Sequence, residues 1–298
     1  MKSGRPTILL TGARGQLGRE LAFALRGVGD VVACDRSTLD LGDADRIVDV
    51  VRESAPRVIV NAAAYTAVDR AERDRDRAFA INAHAPRILA EEAKRANAIL
   101  VHYSTDYVFD GAATTPYGES AATHPLNVYG ESKLAGEAAI AGSGAASIVL
   151  RTSWVYGRRG QNFLMTMQKL AASRSEINVV DDQIGVPNWT RWLARMTAAI
   201  LDQGLARLAE RAGLYHLCAL GRASWFDFAR EILRDRANVR VSPIATSQYP
   251  TPARRPAYGV LDATRFARTF GIALPDWQTL LHECLQSEAE PPDARPVH

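Results

Sequence analysis

The fold is decided near the N-terminus by the stretch Thr7-Ile8-Leu9-Leu10-Thr11-Gly12-Ala13-Arg14-Gly15-Gln16-Leu17-Gly18. Five residues typical of a buried strand lead directly into a glycine-rich turn, and a helical pattern follows the turn. Gly12 permits a tight turn, Gly15 lets backbone N–H groups approach a pyrophosphate, and Gly18 allows close packing of helix on strand. The spacing is GxxGxxG, and its place between the first strand and the first helix predicts a dinucleotide site.

The rest of the first half alternates short apolar runs with amphipathic helical patterns. Strands are predicted at Thr7–Thr11, Asp30–Cys34, Val58–Asn61, Leu100–Ser104 and Ser147–Arg151. Helices are predicted at Gln16–Arg26, Asp43–Ser54, Asp69–Asn82, Ala85–Ala96 and Tyr129–Ala141. Continuous apolar strands separated by amphipathic helices are typical of a parallel sheet covered on both faces. The sequence therefore predicts an α/β fold built on a Rossmann-type doubly wound parallel sheet.

The second half is less regular and predicts a smaller C-terminal α/β domain that binds substrate. Helices are predicted there at Trp192–Gln203, Trp225–Ala237 and Asp276–Gln286, with a proline-rich loop at Tyr249–Pro256. We expect residues 1–152 to form the dinucleotide-binding domain, to which later segments return, and residues 153–286 to form the substrate domain. Residues 287–298 are rich in proline, alanine and charge, which predicts a disordered tail.

Composition and charge exclude several classes of protein. The net charge is only +3, and acidic and basic residues alternate rather than cluster, so a nucleic-acid partner is not expected. No apolar run approaches the roughly 20 residues that span a membrane, and no signal peptide is expected. The cysteines Cys34, Cys218 and Cys284 lie far apart in no metal-ligand spacing. They indicate reduced thiols in a cytoplasmic protein.

Residues after the second and third predicted strands extend the dinucleotide site. An acid such as Asp35 usually bonds the adenine-ribose hydroxyls of NAD, whereas Arg36 can pair with the 2′-phosphate of NADP. Both residues are present, so the choice between NADH and NADPH stays open, and a solvated loop arginine is the alternative for Arg36. The other predicted cofactor contacts are Gln16 and Leu17 in the turn, Asp40 and Leu41 near the adenine, and Ala62, Ala63 and Ala64 near the nicotinamide ribose.

Three polar residues predict the chemistry. Tyr129 and Lys133 are four residues apart on a helix, so their side chains share one face. An ammonium beside a phenol lowers the tyrosine pKa from about 10, which favours the proton exchange that carbonyl reduction requires. Thr105 follows the predicted strand Leu100–Ser104, at the sheet edge where ligands bind, and can donate a hydrogen bond to a substrate oxygen that becomes negative. We expect Lys133 also to hold the nicotinamide ribose.

Five longer motifs resemble those of a known family. They are Asn61-Ala62-Ala63-Ala64-Tyr65-Thr66-Ala67-Val68-Asp69-Arg70-Ala71-Glu72, Tyr103-Ser104-Thr105-Asp106-Tyr107-Val108-Phe109-Asp110-Gly111, Pro125-Leu126-Asn127-Val128-Tyr129-Gly130, Arg151-Thr152-Ser153-Trp154-Val155-Tyr156 and Asp182-Gln183-x-Gly185-x-Pro187. The chain resembles the dTDP-4-dehydrorhamnose reductases, a family of extended short-chain dehydrogenase/reductases, from about residue 7 to residue 285. The resemblance implies that NADPH or NADH reduces the 4-keto group of dTDP-4-dehydro-L-rhamnose to give dTDP-L-rhamnose.

The resemblance also implies how the sugar nucleotide is held. Trp154 would pack against the sugar and Gln183 would hold the nucleotide diphosphate. Arg255, in the proline-rich loop, is either a diphosphate partner or a surface arginine. The remaining implied contacts are Tyr65 for the cofactor, and Thr66, Val68, Ser104, Thr105, Asp106 and Tyr107 for the substrate.

One departure from the family concerns a metal. For some members, the resemblance implies a dimer that magnesium stabilises by binding two glutamates. One of these glutamates is in the first helix and the other follows the Asp-Gln motif. Glu20 matches the first position, but Arg191 stands at the second, and an arginine cannot ligate a cation. The sequence therefore predicts no metal bridge, and it leaves a homodimer open.

Two rival functions stay open on the sequence. A nucleotide-sugar 4-epimerase would use the same fold but keep its NAD bound, whereas a reductase consumes added NAD(P)H stoichiometrically. A non-catalytic subunit resembling the regulatory β subunit of methionine adenosyltransferase would bind dinucleotide and serve a partner enzyme. The intact Tyr129 and Lys133 argue against the second rival.

Overall fold

A computed structural model describes residues 4–287, and its centre is a parallel sheet of six strands. With strands numbered along the chain, these are β1 Thr7–Thr11, β2 Asp30–Cys34, β3 Val58–Asn61, β4 Ile99–Thr105, β5 Ser147–Thr152 and β10 Gly213–His216. Their order across the sheet is β10-β5-β4-β3-β1-β2. The predicted α/β class with a Rossmann-type sheet is confirmed, and the five strands predicted from the first half are present within one residue at each end.

The strands are largely apolar because both faces of the sheet are covered. Along β1, Ile8 and Leu10 belong to one core while Leu9 belongs to the core on the opposite face. The helices of the first half are α1 Gln16–Ala24, α2 Ala44–Ser54, α3 Val68–Ala71, α4 Arg75–Phe79, α5 Ala85–Arg95 and α6 Val128–Ser143. Residues of α2, α5 and α6 fill the core that contains Leu9, and residues of α1 fill the other.

The helix predicted at Asp69–Asn82 is wrong, because this segment forms two short helices. α3 ends at Ala71 and α4 begins at Arg75, then α4 runs through a π-helical turn at Ala80–His84 into α5. Pro86 in the first turn of α5 has no N–H to donate to the carbonyl of Asn82, which favours a local change of helical pitch. A Cβ at Gly136 of α6 would lie 2.1 Å from that carbonyl oxygen, so glycine is needed where α6 crosses the turn.

The second half is more structured than the sequence predicts. Its helices are α7 Phe163–Ala171, α8 Thr190–Asp202, α9 Leu205–Glu210, α10 Trp225–Ile232, α11 Thr264–Phe270 and α12 Trp277–Gln286. Its further strands are β6 Val155–Tyr156, β7 Glu176–Val180, β8 Ile184–Gly185, β9 Asn188–Trp189, β11 Ala223–Ser224 and β12 Arg240–Ile244. They pair as β12 with β7, β11 with β8, and β6 with β9. Strands of two residues are too short to produce a sequence period, which is why they were not predicted.

Two elements from beyond residue 152 pack into the first half. β10 pairs in parallel with β5, where Tyr215 lies opposite Leu150. The helix α8 packs against α1, and Leu193 of α8 shares a core with Leu21 of α1. The predicted tail at 287–298 lies outside the described residues, apart from Ser287.

Candidate active site

The N-terminus of α6 places Tyr129 at the carboxyl edge of the sheet. Asn127 caps the helix by accepting a hydrogen bond from the Gly130 N–H at 2.8 Å. A Cβ at Gly130 would lie 2.2 Å from the Tyr107 carbonyl oxygen, so the helix can approach the end of β4 this closely only through glycine. The Tyr129 and Tyr107 rings meet edge to face with centroids 5.6 Å apart.

The pKa of Tyr129 differs from the sequence prediction. Burial raises it to about 12, while the Thr105 hydroxyl beside the phenol opposes the rise and Asp106 adds to it. Lys133 does not lower this pKa, because its Nζ donates to the Tyr103 carbonyl at 2.6 Å and lies against His102 instead. The predicted lowering of the Tyr129 pKa by Lys133 is therefore wrong for this arrangement. The phenol is held neutral, which is the form a proton donor needs.

Lys133 is itself buried in a polar environment below Tyr129. Its side chain is 2% exposed, and burial lowers its pKa to about 8, against the opposing charge of Glu137. Glu137, one turn further along α6, forms a bidentate ion pair with Arg151 of β5, with the shorter N–O distance 2.6 Å. Ser104, predicted to contact substrate, donates its hydroxyl hydrogen bond to Glu137.

Thr105 and Asp106 form a second buried polar pair where β4 ends. The Thr105 hydroxyl donates to Asp106 at 3.1 Å and accepts from the Tyr107 N–H at the same distance. Asp106 is 2% exposed, and burial raises its pKa to about 7. A Cβ at Gly259 would lie 2.5 Å from its second carboxyl oxygen, so the second half of the chain covers Asp106 closely. The structure thus brings Thr105 and Asp106 of one sequence motif next to Tyr129 of another.

The glycine-rich turn is shaped for a phosphate group. Gly12 has a φ of +69°, and a Cβ there would lie 2.8 Å from the backbone of Ala63. A Cβ at Gly18 would lie 2.0 Å from the Gly12 carbonyl oxygen, so α1 can pack on β1 only through glycine. Gly15 precedes α1 with extended backbone and no side-chain cap, which leaves the positive helix end to a ligand. These features fit a dinucleotide pyrophosphate.

The other predicted cofactor residues lie around this turn, with differing partners. Gln16 hydrogen-bonds the loop before α7, through the Gln161 carbonyl and the Asn162 amide. Leu17 is partly buried against the core that contains Leu21. Leu41 is almost fully buried in the opposite core, which contains Leu9, and presents no exposed side chain to an adenine. Ala62, Ala63 and Ala64 are half-buried residues directly after β3, beside the turn.

Two exposed arginines and two carboxylates that accept hydrogen bonds lie at or beside the end of β2. Asp35 accepts hydrogen bonds from Ser37, which lower its pKa most, and pairs with Arg14 at 2.7 Å. Arg36 has an 80% exposed side chain 3.5 Å from Asp40, whose carboxylate also accepts from Arg77. Arg14 was not predicted, although its position inside the glycine turn was visible in the sequence.

On the substrate side, Trp154 is fixed by an aromatic partner that the sequence did not reveal. Its backbone has a φ of +42°, a left-handed conformation that is strained for a tryptophan. Its indole stacks on Trp225 with a centroid distance of 3.5 Å and an interplanar angle of 5°. A Cβ at Gly185 would lie 2.4 Å from the same indole. The sequence marked Trp225 only as the start of a helix.

Gln183 and Arg255 are both engaged with protein groups. Gln183 donates to the Thr246 hydroxyl at 3.0 Å. Arg255 forms two hydrogen bonds of 2.7 Å with the carboxylate of Asp69 at the start of α3. The proline-rich loop is thereby joined to the first half of the chain, and the guanidinium is half-buried on Asp69 rather than free on the surface.

The loop after β3, which holds Tyr65, Thr66 and Val68, is held by hydrogen bonds from the π-helical turn. Asn82 in the π-helical turn accepts from the Tyr65 N–H at 2.8 Å and donates to the Tyr65 carbonyl at 3.0 Å. The Tyr65 hydroxyl donates to Asp74. Thr66 is exposed and Val68, half-buried, begins α3. Asn82 was missed because it lay at the end of a predicted regular helix.

Glu20 lies inside the molecule rather than on its surface. It is 2% exposed, and the Arg191 guanidinium contacts its carboxylate with an N–O distance of 3.1 Å. The pair joins α1 to α8. Within residues 4–287 there is no cluster of three or more histidine, cysteine or acidic side chains suited to a metal ion. In the same range no helix is both long and apolar enough to cross a membrane.

Together, the fold and the site define a class of protein. A GxxGxxG turn opens a parallel doubly wound sheet, and threonine, tyrosine and lysine gather at its carboxyl edge. This combination defines the extended short-chain dehydrogenase/reductases, which couple a nicotinamide dinucleotide to carbonyl chemistry.

Comparison with known proteins narrows the class. The family model described as RmlD substrate binding domain matches residues 6–290. The dTDP-4-dehydrorhamnose reductase of Burkholderia thailandensis is 45% identical over 291 residues, covering 94% of this chain and 98% of the relative. A crystal structure of a dTDP-4-dehydrorhamnose reductase from Clostridium acetobutylicum gives a TM-score of 0.88 at 38% identity, covering 94% of this chain and 98% of that one.

A second solved structure includes a cofactor. It is the dTDP-4-dehydrorhamnose reductase of Bacillus anthracis in complex with NADP, with a TM-score of 0.86, 36% identity, and coverage of 94% of this chain and 99% of that one. The chain belongs to the dTDP-4-dehydrorhamnose reductase family, as its sequence motifs predicted.

Proposed function

We propose that this protein reduces the 4-keto group of dTDP-4-dehydro-L-rhamnose to dTDP-L-rhamnose, with NADPH or NADH as reductant. The observation that carries the proposal is the grouping of Thr105 with a neutral Tyr129, beside a glycine turn shaped for a dinucleotide, in a chain of this family. The relatives of known activity match more than nine-tenths of the chain.

The side chains of the site divide the chemistry between them. The bound dinucleotide supplies a hydride for the carbonyl carbon. Tyr129, kept neutral by burial, delivers the proton to the carbonyl oxygen, and the Thr105 hydroxyl donates a hydrogen bond to the same oxygen as its charge grows. Loss of the proton leaves a phenolate, and Lys133 is the cation nearest along α6 to stabilise it.

For the substrate, the proposal assigns the sugar to Trp154 and the diphosphate to Gln183 and Arg255. The stack on Trp225 supports this role for Trp154, since a strained backbone held by two neighbours presents a rigid apolar plane. Asp69 holds Arg255 in a fixed direction, and its carboxylate would share the guanidinium with a diphosphate. Tyr65, Thr66, Val68, Asp106 and Tyr107 complete the proposed contacts.

We infer further that NADPH is preferred to NADH. The carboxylate of Asp35 is occupied by Ser37 and Arg14, so it is poorly placed to repel a phosphate or to bond a ribose. Arg14 and Arg36 are 71% and 80% exposed and can turn toward a 2′-phosphate. The NADP complex of the Bacillus anthracis relative is consistent with this preference.

The proposal also covers location, assembly and domain division. We place the enzyme in the cytoplasm, and the free, buried thiols of Cys34 and Cys218 support this. A substrate domain at 153–286 and a dinucleotide domain at 1–152, joined by β10 and α8, are kept as the functional division. A homodimer is compatible with it, and sedimentation of the purified chain measures the assembly directly.

A coupled assay tests the proposed activity. The keto-sugar nucleotide is produced enzymatically in place, and NADPH or NADH is added in parallel reactions with the purified full-length protein. The proposal expects one dTDP-L-rhamnose formed for each NADPH consumed, with NADH reacting more slowly. Tightly bound NAD in the purified protein, together with sugar interconversion without net consumption of reductant, would establish an epimerase instead.

A further inference from the structure

A chain of four buried polar side chains crosses the sheet from β1 to α6. Neighbouring strands place Thr11 opposite Asn61, and Asn61 opposite His102. The Thr11 hydroxyl oxygen lies 2.6 Å from Asn61 Oδ1, Asn61 Nδ2 lies 3.0 Å from His102 Nδ1, and His102 Nε2 lies 3.2 Å from Lys133 Nζ. Each of the four residues is at most 2% exposed, so the side chains must satisfy one another.

Proton counting allows this chain two arrangements. If Lys133 is an ammonium it donates to His102 Nε2, so the imidazole proton sits on Nδ1 and donates to Asn61 Oδ1. If Lys133 is a neutral amine it can accept from Nε2–H, and Nδ1 then accepts from the Asn61 amide N–H. An ammonium facing Nε2–H would place two donors against each other, so a charged Lys133 requires the Nδ1–H tautomer of His102. Half a rotation of the Asn61 amide converts one arrangement into the other, and the structure holds the amide in the second orientation, with Thr11 donating to Oδ1.

The charges around the chain favour titration of Lys133 rather than His102. Burial and the charge of Lys133 hold the pKa of His102 well below its ordinary value, so the ring stays neutral. Lys133, whose pKa burial lowers to about 8, faces Glu137 on its own helix, and Arg151 of β5 neutralises that glutamate. The other charged group on α6 is Glu131, which pairs with Arg75. Glu72, directly after α3, accepts from the Val128 N–H in the first turn of α6.

We propose that His102 and Asn61 are positioning residues that set the charge of Lys133. When Lys133 loses one proton to solvent, the His102 proton changes from Nδ1 to Nε2 and the Asn61 amide reverses. Only the ammonium arrangement supplies the cation that stabilises a Tyr129 phenolate. The inference rests on the proposed function for its effect on rate. Since Thr11 directly precedes Gly12, the chain also joins the dinucleotide turn to the lysine.

The consequence for rate is a basic limb in the pH profile of kcat/KM. The ammonium form is complete below the pKa of Lys133 and is lost as the pH rises through it, so the rate falls with the same midpoint. Replacing His102 by leucine removes one of two acceptors of the ammonium. A hydrogen bond to a charged group contributes about 1.5 kcal/mol, so the midpoint moves down by about one pH unit and the rate at pH 8 falls about fivefold.

Three further variants separate this role from a purely structural one. His102→Gln keeps an oxygen that accepts from Lys133, so the midpoint returns toward wild type. Asn61→Asp adds a carboxylate that holds the Nδ1–H arrangement and moves the midpoint upward. His216→Leu is the matched control, because His216 is a buried histidine of β10 outside the chain. Equal midpoints in His102→Leu and His216→Leu would overturn the proposal.

A measurement without substrate completes the test. In full-length protein with 15N-labelled histidine, NMR distinguishes the two neutral tautomers of His102. The proposal expects the Nδ1–H tautomer at about pH 6.5 and the Nε2–H tautomer at about pH 9.5. The midpoint of this tautomer change should coincide with the midpoint of the rate profile. One tautomer throughout this range overturns it. A tautomer change in a protein that does not reduce the keto-sugar would reject the proposed function and leave the coupling of His102 to Lys133 standing.

Discussion

The glycine turn at the head of β1 and the aromatic pair of Trp154 and Trp225 are fixed by different forces. The turn directly follows β1, which is paired with β2 and β3 and buried on both faces, so regular hydrogen bonding determines its position. The aromatic pair includes the strained residue Trp154 and is held by one stacking contact and one glycine. We therefore expect the backbone of the glycine turn to keep its position when side chains around it are replaced. We expect the position of Trp154 to depend on its individual contacts.

The largest expected effect comes from the proton donor. Tyr129→Phe removes the phenol that hydrogen-bonds Thr105 and should lower turnover about 10³-fold, within the range for loss of a general acid. NADPH affinity, measured by fluorescence titration, should stay near wild type because the turn is untouched. Tyr103→Phe is the control, because it also removes a buried phenol hydroxyl, but one that hydrogen-bonds Thr197 of α8. Turnover near wild type in Tyr129→Phe would contradict the assignment.

A smaller effect is expected from the aromatic partner. Trp225→Ala removes the stack that holds Trp154, and displacement of a binding group by about 1 Å can cost up to about 100-fold in rate. The kcat/KM for the keto-sugar should fall between about tenfold and 100-fold, while Kd for NADPH is unchanged. Trp225→Phe should recover part of the loss. If NADPH affinity falls as well, the two regions are not independent.

Variants of the Asp69–Arg255 pair distinguish a role of Arg255 in diphosphate binding from a purely structural ion pair. If Arg255 binds the diphosphate, Arg255→Ala should raise KM for the sugar nucleotide about tenfold, the effect of about 1.4 kcal/mol, and Asp69→Ala should raise it much less. If the pair only fastens the loop, both variants should raise KM equally. Steady-state kinetics with saturating NADPH measure the difference.

The smallest effect is expected at the adenine end. Arg36 is exposed, so its removal should weaken NADPH binding only about fivefold, the scale of a solvated ion pair, and should change NADH binding less than about twofold. Arg46→Ala, an exposed arginine of α2 paired with Glu53, should leave both dissociation constants unchanged. Equal weakening of NADH and NADPH by Arg36→Ala would reject a contact with the 2′-phosphate.

What could be predicted from the sequence follows the same division. The strands of the sheet and the turn at Gly12 were predictable because strands buried on both faces have nearly continuous apolar sequences. The stack of Trp154 on Trp225 and the pair of Asp69 with Arg255 join residues 71 and 186 positions apart, and no period connects them. The pKa of Tyr129 was predicted in the wrong direction because the spacing on a helix shows which residues share a face, not which polar atoms they reach.

The position of β10 has a consequence for biosynthesis. This strand completes the sheet beside β5, yet it is translated some 60 residues after β5 ends at Thr152. Until Gly213–His216 leaves the ribosome, the edge of β5 presents unpaired backbone groups, which is a template for aggregation. A fragment that stops at residue 152 would carry that edge permanently. The nascent chain therefore cannot complete its sheet early, however local its first five strands are.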